Sequence, residues 1–240
     1  MTGGRGRETS AIAGGGVRRS LSVVFHDARS FDFDLPRLNT QLSTFLRMSK
    51  LLCVYCSSSD RLAQKYFAAA DQLGREIAMQ GWGLVYGGGR TGLMGAVARA
   101  TKQAGGPVVG IIPEFMKLKE LAYTEADELI TVDTMRERKL LMETRADAFV
   151  ALPGGFGTLE EIMEILTLRQ LDVVRKPCVL LNQDGFYNDL LAFFQRMLRD
   201  DFCKPSVLDL FRVANTVPEI FAKLEEAGQV RAESKWFDTK

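Results

Sequence analysis

From Leu51 onward, short apolar runs alternate with longer amphipathic segments, and this alternation restricts the fold more than any other feature. Short apolar runs are typical of strands buried on both faces, whereas the segments between them have the length and periodicity of helices. The pattern predicts an α/β fold, in which one domain contains a Rossmann-like, doubly wound parallel sheet with helices on both faces. The predicted strands are 51–56, 83–86, 108–112, 129–132, 148–152 and 178–181, and the predicted helices are 61–80, 92–104, 134–145, 158–172, 186–199 and 218–227.

The first of two glycine-rich loops follows the second predicted strand. Residues 87–95 satisfy G-x-G-x-x-G between a strand and a helix, a context that favours a phosphate or nucleotide cradle with contacts from Gly88 and Gly89. The alternative is a tight turn that lets the helix pack closely on the strand. A dinucleotide site would also need an acidic residue at the end of the next strand, where the chain has Ile112-Pro113-Glu114.

The second glycine-rich loop ends the fifth predicted strand and has the sequence Leu152-Pro153-Gly154-Gly155-Phe156-Gly157-Thr158-Leu159-Glu160-Glu161. Its backbone N–H groups lie at a predicted helix N-terminus, so this loop is the strongest candidate for an anion site. Thr158 and Glu161 also have the spacing of a capping box, which would give Glu161 a purely structural role. A carboxylate in the first helical turn is expected to stay ionised, which suits stabilisation of a developing cation.

A charged residue is also predicted among apolar neighbours in the helix 134–145. Arg138 shares a helical face with Met135, Leu141 and Met142. Such a side chain needs a partner, either in a buried ion pair or in a ligand's phosphate or base. Both alternatives are compatible with the sequence.

Histidine and cysteine usage exclude several kinds of chemistry. His26 is the single histidine, so a Ser-His-Asp triad or a multi-histidine metal site is not expected. Cys53 and Cys56 form C-x-x-C within a predicted buried strand, where positions three apart face opposite ways, and this favours core packing over metal or redox chemistry. Four cysteines in 240 residues suit a reducing compartment, so we expect a cytoplasmic protein.

The N-terminal segment differs in composition from the rest of the chain. Residues 1–50 carry eight Lys/Arg against four Asp/Glu, whereas the remainder carries 23 against 26, a net charge of −3. A mildly acidic body argues against nucleic-acid binding, and no apolar run is long enough to span a membrane. The glycine-arginine composition predicts that residues 1–47 are a disordered extension, followed by a domain over 48–240.

Two of these motifs together resemble a known family. Pro-Gly-Gly-x-Gly-Thr-x-x-Glu falls on residues 153–161 without a mismatch, and the Arg138-Lys139 helix lies just upstream. In these motifs the chain is similar to the Lonely Guy family of cytokinin riboside 5'-monophosphate phosphoribohydrolases, members of which were often labelled lysine decarboxylases. The resemblance covers roughly residues 48–217. The chain departs from the family pattern at Arg136, where members of the family usually have a histidine.

The resemblance implies hydrolysis of the N-glycosidic bond of an N6-modified adenosine 5'-monophosphate, without cofactor or metal, by a homodimer. It implies that Arg138 and Glu161 are the catalytic pair. The proton for the leaving base is left open between water and a carboxylate such as Glu120, because arginine does not give up a proton in proteins. Alternatives are a non-catalytic nucleotide carrier and, through residues 87–92, an NAD oxidoreductase. The substrate-binding residues expected from the resemblance and the two loops are Gly88, Gly89, Glu120, Arg138, Lys139, Gly154, Gly155, Phe156, Gly157, Thr158, Glu161 and Thr167.

Overall fold

A computed structural model describes residues 50–117 and 121–228. The predicted disordered extension over 1–47 lies outside these residues, as does Glu120. The strands are β1 (Leu51–Tyr55), β2 (Gly83–Tyr86), β3 (Val108–Pro113), β4 (Glu128–Val132), β5 (Ala148–Ala151), β6 (Cys178–Leu181) and β7 (Arg212–Ala214). The helices are α1 (Gln64–Met79), α2 (Gly92–Gln103), α3 (Glu114–Lys117), α4 (Met135–Arg145), α5 (Phe156–Gln170), α6 (Asn188–Arg199) and α7 (Glu219–Gly228), with 3-10 turns at Gln183–Gly185 and Pro205–Leu210.

The seven strands form one parallel sheet in the order β4-β3-β2-β1-β5-β6-β7. The chain builds outward from β1 to β4, returns to place β5 beside β1, and then builds outward on the other side. The direction of winding therefore changes between β1 and β5. In a doubly wound sheet, the carboxyl ends of the two strands at this point flank the ligand crevice.

The two faces of the sheet are covered by different helices. Alternate residues of β1 enter different cores: Leu52 and Val54 pack under α1, α2 and α7, whereas Cys53 and Tyr55 pack with residues of α4, α5 and α6. Cys56 lies in the first core, so the prediction that Cys53 and Cys56 face opposite ways is confirmed. All four cysteines are free.

The turns at the amino ends of β2 and β3 each contain a glycine with positive φ. Gly81 follows α1 with φ 72°, and Gly105 follows α2 with φ 85°. Both values lie in the left-handed region, which glycine adopts without steric cost as a helix ends. A Cβ at either position would meet no atom within 4 Å. These turns are therefore open to solvent at the edge opposite the crevice.

All six predicted strands and all six predicted helices are confirmed, with ends shifted by a few residues. β7 and α3 were not predicted, because elements of three and four residues are too short to produce a periodic pattern. Within the described residues, none of the helices is both long and apolar enough to cross a bilayer.

Candidate active site

Arg138 lies on α4 with its guanidinium at the carboxyl ends of the central strands. Its Nε donates to the carbonyl of Ile111 at 3.2 Å, and its Nη2 donates to the carbonyl of Gly87 at 3.2 Å. Its Nη1 donates to Oε1 of Glu161 at 3.1 Å. Four elements of the sequence, the ends of β2 and β3 and the helices α4 and α5, therefore meet at one side chain.

Gly87 makes the space that this guanidinium occupies. A Cβ at Gly87 would lie 1.6 Å from Nη2 of Arg138 and 2.7 Å from its Cζ, so no other residue fits here without moving the arginine. The first glycine of the G-x-G-x-x-G pattern thus accommodates a protein side chain. The sequence pattern does not distinguish this role from close approach of a ligand.

Glu161 is buried, with 8% of its surface exposed. Burial raises the pKa of its carboxyl to about 7, although the Arg138 guanidinium lowers it. The prediction that Glu161 lies in the first helical turn is wrong, because α5 begins at Phe156 with Gly155 as its N-cap and Glu161 lies in the second turn. The effect of a helix N-terminus falls off beyond the first turn.

The predicted capping box of Thr158 and Glu161 is also absent, since no side chain caps α5. Thr158 instead packs against Gly154, where a Cβ would lie 2.1 Å from its Oγ1. A capping box does form at α4, where Thr134 accepts from the backbone N–H of Glu137 at 3.1 Å and the Glu137 carboxylate accepts from that of Thr134 at 3.2 Å. This cap fixes the turn that carries Arg138.

The start of α5 is an uncovered helix N-terminus. A Cβ at Gly155 or Gly157 would meet nothing within 4 Å, and Phe156 between them is 92% exposed. Partial positive charge at such an end favours an anion. Glu161 lies five residues after Phe156 on α5, about 7.5 Å further along the helix axis.

The first glycine loop is bound to other parts of the chain. The N–H of Gly92 donates to the Asp60 carboxylate at 2.7 Å, and that of Leu93 donates to the carbonyl of Ser57 at 2.9 Å. A phosphate at the start of α2 would therefore have to displace Asp60. Gly89 forms an antiparallel bridge with Ala122, so contact of Gly88 or Gly89 with substrate stays a prediction.

Two other expected binding residues, Lys139 and Thr167, already have partners within the chain. Lys139 pairs with Glu160 and, at 3.0 Å, with Glu164. Burial acts to lower the pKa of Lys139, but hydrogen bonds to these carboxylates raise it. Thr167 is exposed further along α5, and its hydroxyl donates to the carbonyl of Met163 at 2.8 Å. Binding roles for Lys139 and Thr167 stay predictions.

The chain is similar in sequence to known proteins over most of its length. The model of a family described as "possible lysine decarboxylase" matches residues 94–224. A probable cytokinin riboside 5'-monophosphate phosphoribohydrolase of Oryza sativa subsp. japonica is 41% identical over 210 residues, which cover 88% of this chain and 92% of the relative. A cytokinin riboside 5'-monophosphate phosphoribohydrolase of Arabidopsis thaliana is 44% identical over 191 residues, 78% of this chain and 84% of the relative. The chain belongs to this phosphoribohydrolase family.

Solved structures confirm the fold of this family member. The molybdenum cofactor carrier protein of Chlamydomonas reinhardtii superposes with a TM-score of 0.58 at 23% identity, covering 75% of this chain and 98% of that one. The molybdenum cofactor binding protein of Rippkaea orientalis gives 0.57 at 23% identity, with 74% and 96% covered. At this identity the likeness shows a shared architecture alone.

The "lysine decarboxylase" description of the family has a specific chemical requirement, a lysine free to form a Schiff base. Lys139, which lies beside the catalytic candidates, is held by two carboxylates. In the part of the chain that the structure describes, no three His, Cys, Asp or Glu side chains come together in a group that could hold a metal ion.

Proposed function

We propose that this protein hydrolyses the N-glycosidic bond of N6-modified adenosine 5'-monophosphates, releasing free base and ribose 5-phosphate. The observation that carries the proposal is the buried Arg138–Glu161 pair, whose glutamate lies on α5, the helix with an uncovered N-terminus that suits a phosphate. The names of relatives that are 41% and 44% identical support the same reaction.

Glu161 performs the central chemistry in this proposal. Cleavage of the bond develops positive charge on the sugar, and an ionised carboxylate stabilises that charge. A carboxyl whose pKa is about 7 also accepts a proton near neutral pH, so Glu161 activates the attacking water as a general base. Burial serves both roles because it excludes competing solvent.

Arg138 orients Glu161 and keeps part of its population ionised. Its three hydrogen bonds to Ile111, Gly87 and Glu161 hold the guanidinium in one position. Arginine does not give up a proton in proteins, so Arg138 is not the acid for the leaving base. We assign that proton to water or Glu120, as the sequence suggested.

The phosphate binds at the start of α5, through the backbone N–H groups of residues 154–158. Charge-assisted hydrogen bonds at this end supply binding energy remote from the reacting bond, and this energy fixes the sugar over Glu161. The proposal therefore requires a monophosphate substrate.

The test is a chromatographic product assay with purified protein and a series of nucleosides and their mono-, di- and triphosphates, each with varied N6 groups. We expect free base and ribose 5-phosphate in equal amounts from monophosphates, with kcat/KM at least about 100-fold lower for the riboside. Tight binding of monophosphates without product would instead identify a carrier. Comparable turnover of riboside and monophosphate would contradict the phosphate-binding role of α5.

Two further properties complete the proposal. A homodimer is supported by the exposed Phe156 ring at the rim of the site, which a second copy would cover, and light scattering on the purified protein measures the state directly. Cytoplasmic location is supported by the four free thiols. A monomeric mass or a secreted product would overturn the respective statement.

A further inference from the structure

Leu152 anchors the loop through which the phosphate would bind, here called the α5 loop (Leu152–Gly155). The N–H of Leu152 donates to the carbonyl of Tyr55 at 2.9 Å, which extends the pairing of β5 with β1. The next residue, Pro153, has no N–H to donate. The direction in which the chain leaves the sheet is therefore determined largely at the Leu152 peptide.

The carbonyl of Leu152 accepts a hydrogen bond from a side chain in the segment between β6 and α6. The Tyr187 hydroxyl donates to it at 2.6 Å, and both residues are buried. Burial raises the pKa of the Tyr187 phenol, so the hydroxyl keeps its proton and remains a donor. This bond joins the connection between β6 and α6 to the α5 loop across a sequence separation of 35 residues.

Tyr187 is itself fixed by Asn182, which follows β6. The N–H of Tyr187 donates to Oδ1 of Asn182 at 2.7 Å, and Nδ2 of Asn182 donates to Oδ1 of Asn188 at 2.9 Å. The N–H of Asn182 donates to the carbonyl of Ala214 in β7 at 2.7 Å. The phenol is therefore held by the outer strands of the sheet.

We propose that Tyr187 is a positioning residue for phosphate binding: its hydroxyl fixes the Leu152 carbonyl and thereby aims the N–H groups of the α5 loop at the substrate phosphate. The inference rests on the proposed function, since it assigns a second residue to the same site. Tyr187 touches no substrate atom in this arrangement. It acts through the backbone of Leu152.

The physical consequence of losing the hydroxyl is specific. A buried carbonyl without a hydrogen-bond donor costs free energy, so we expect the peptide to rotate until the carbonyl accepts from another donor. Rotation of the Leu152 peptide changes the direction of Pro153 and of the two glycines that follow, which lack side chains to hold them. Arg138 and Glu161 lie on α4 and α5, away from Leu152, so we expect the bond that joins them to be kept.

The test compares Tyr187→Phe with wild-type protein in steady-state kinetics and in calorimetric binding of ribose 5-phosphate. We expect KM for the monophosphate and Kd for ribose 5-phosphate to rise together by about tenfold, and kcat to fall by a smaller factor, because a misdirected phosphate holds the sugar less firmly over Glu161. The control is Tyr66→Phe, which removes a hydroxyl from a ring that packs on Phe186 in the same aromatic cluster.

Unchanged KM and Kd in Tyr187→Phe would overturn the inference, as would a fall in kcat and melting temperature without a change in Kd. If Tyr187→Phe does not fold, Asn188→Ala removes an exposed acceptor that orients Asn182, and a smaller rise in Kd is expected; no rise overturns the inference. Calorimetry needs no turnover. If the wild-type protein binds ribose 5-phosphate but releases no base, the proposed function is refuted. The calorimetric comparison of Tyr187→Phe with wild type then still tests the positioning role of Tyr187.

Discussion

The behaviour of Glu161 depends on two opposing influences on one carboxylate. Burial favours the protonated form, whereas the guanidinium of Arg138 at 3.1 Å favours the ionised form. Burial is the larger influence, and it raises the pKa to about 7. A group that changes charge at neutral pH inside a ligand crevice is typical of catalytic residues.

Glu161→Gln tests the catalytic assignment directly. Glutamine keeps the size of the side chain and an oxygen that accepts from Arg138, but it removes the negative charge and the basic oxygen. We expect kcat to fall by roughly 100-fold or more, on the scale known for single electrostatic groups. The control is Glu160→Gln, the exposed neighbour on α5, which should retain activity within about threefold. Equal rates in the two variants would move the assignment away from Glu161.

The pH dependence of the rate follows from the sign of the pKa change. A carboxyl with a pKa raised to about 7 is protonated below that pH, and the protonated form neither stabilises a cation nor accepts a proton. We expect kcat to fall as the pH is lowered through about 7 and to be constant above about 8. Glu160→Gln should keep this acid limb but move it to lower pH, because the Glu160 carboxylate helps to raise the pKa of Glu161. A rate that is flat from pH 5 to 8 would contradict the general-base role.

At the residue scale, the sequence indicated Arg138 and Glu161 but not their surroundings. An arginine among apolar residues on one helix predicted a buried partner or a ligand, and the structure supplies the partner as Glu161. The spacing of Thr158 and Glu161 suggested a cap that does not form, because local sequence does not show that α5 starts two residues early. Tyr187 gave no signal, since its partner Leu152 is distant in sequence.

The glycine loop after β2 leaves the space in which the guanidinium of Arg138 lies. Gly87 has no positive φ, so glycine is required there only by the proximity of Arg138. Gly87→Ala would place a methyl group where Nη2 lies and displace the guanidinium. We expect kcat to fall by about 100-fold and the acid limb of the rate profile to move to higher pH, since Arg138 no longer lowers the pKa of Glu161.

The control for Gly87→Ala is Gly228→Ala at the end of α7, where a Cβ meets nothing within 4 Å. Rates and melting temperatures measured at several pH values separate the two variants. An unshifted acid limb in Gly87→Ala, together with a wild-type kcat, would show that the guanidinium is not needed in its observed place.

At the scale of helices and strands, the apolar pattern of the sequence predicted the buried strands but not the shortest one. Buried strands such as β1 and β5 were predicted because runs of four or five apolar residues between turn signals are typical of strands buried on both faces. β7 has three residues and one of them is Arg212, so its pairing with β6 arises from the tertiary fold. The first glycine loop matches a nucleotide-binding pattern, but the N–H of Gly92 donates to the Asp60 carboxylate. Asp60 is 32 residues away in sequence, so the pattern of the loop does not indicate this bond.

At the scale of the whole molecule, the chemistry is expected to require only the sheet domain. Residues 1–47 carry the glycine-arginine composition from which we predict disorder, and Met48 stands directly before β1. A protein beginning at Met48 should keep its melting temperature and its kcat/KM within about twofold of the full chain. Thermal unfolding and the product assay check both quantities. Loss of folding or activity would show that the N-terminal segment contributes to the domain.

The open turns at Gly81 and Gly105 have a practical consequence. Each lies at the amino end of a strand, so the length of that strand, about 13–20 Å, separates it from the carboxyl ends of the strands, where Arg138 and Glu161 meet. A short affinity peptide inserted at Gly105 would emerge from the back of the molecule. Protein immobilised through such a peptide would present every copy of its crevice to the solution, in one orientation and without a tether near the entrance.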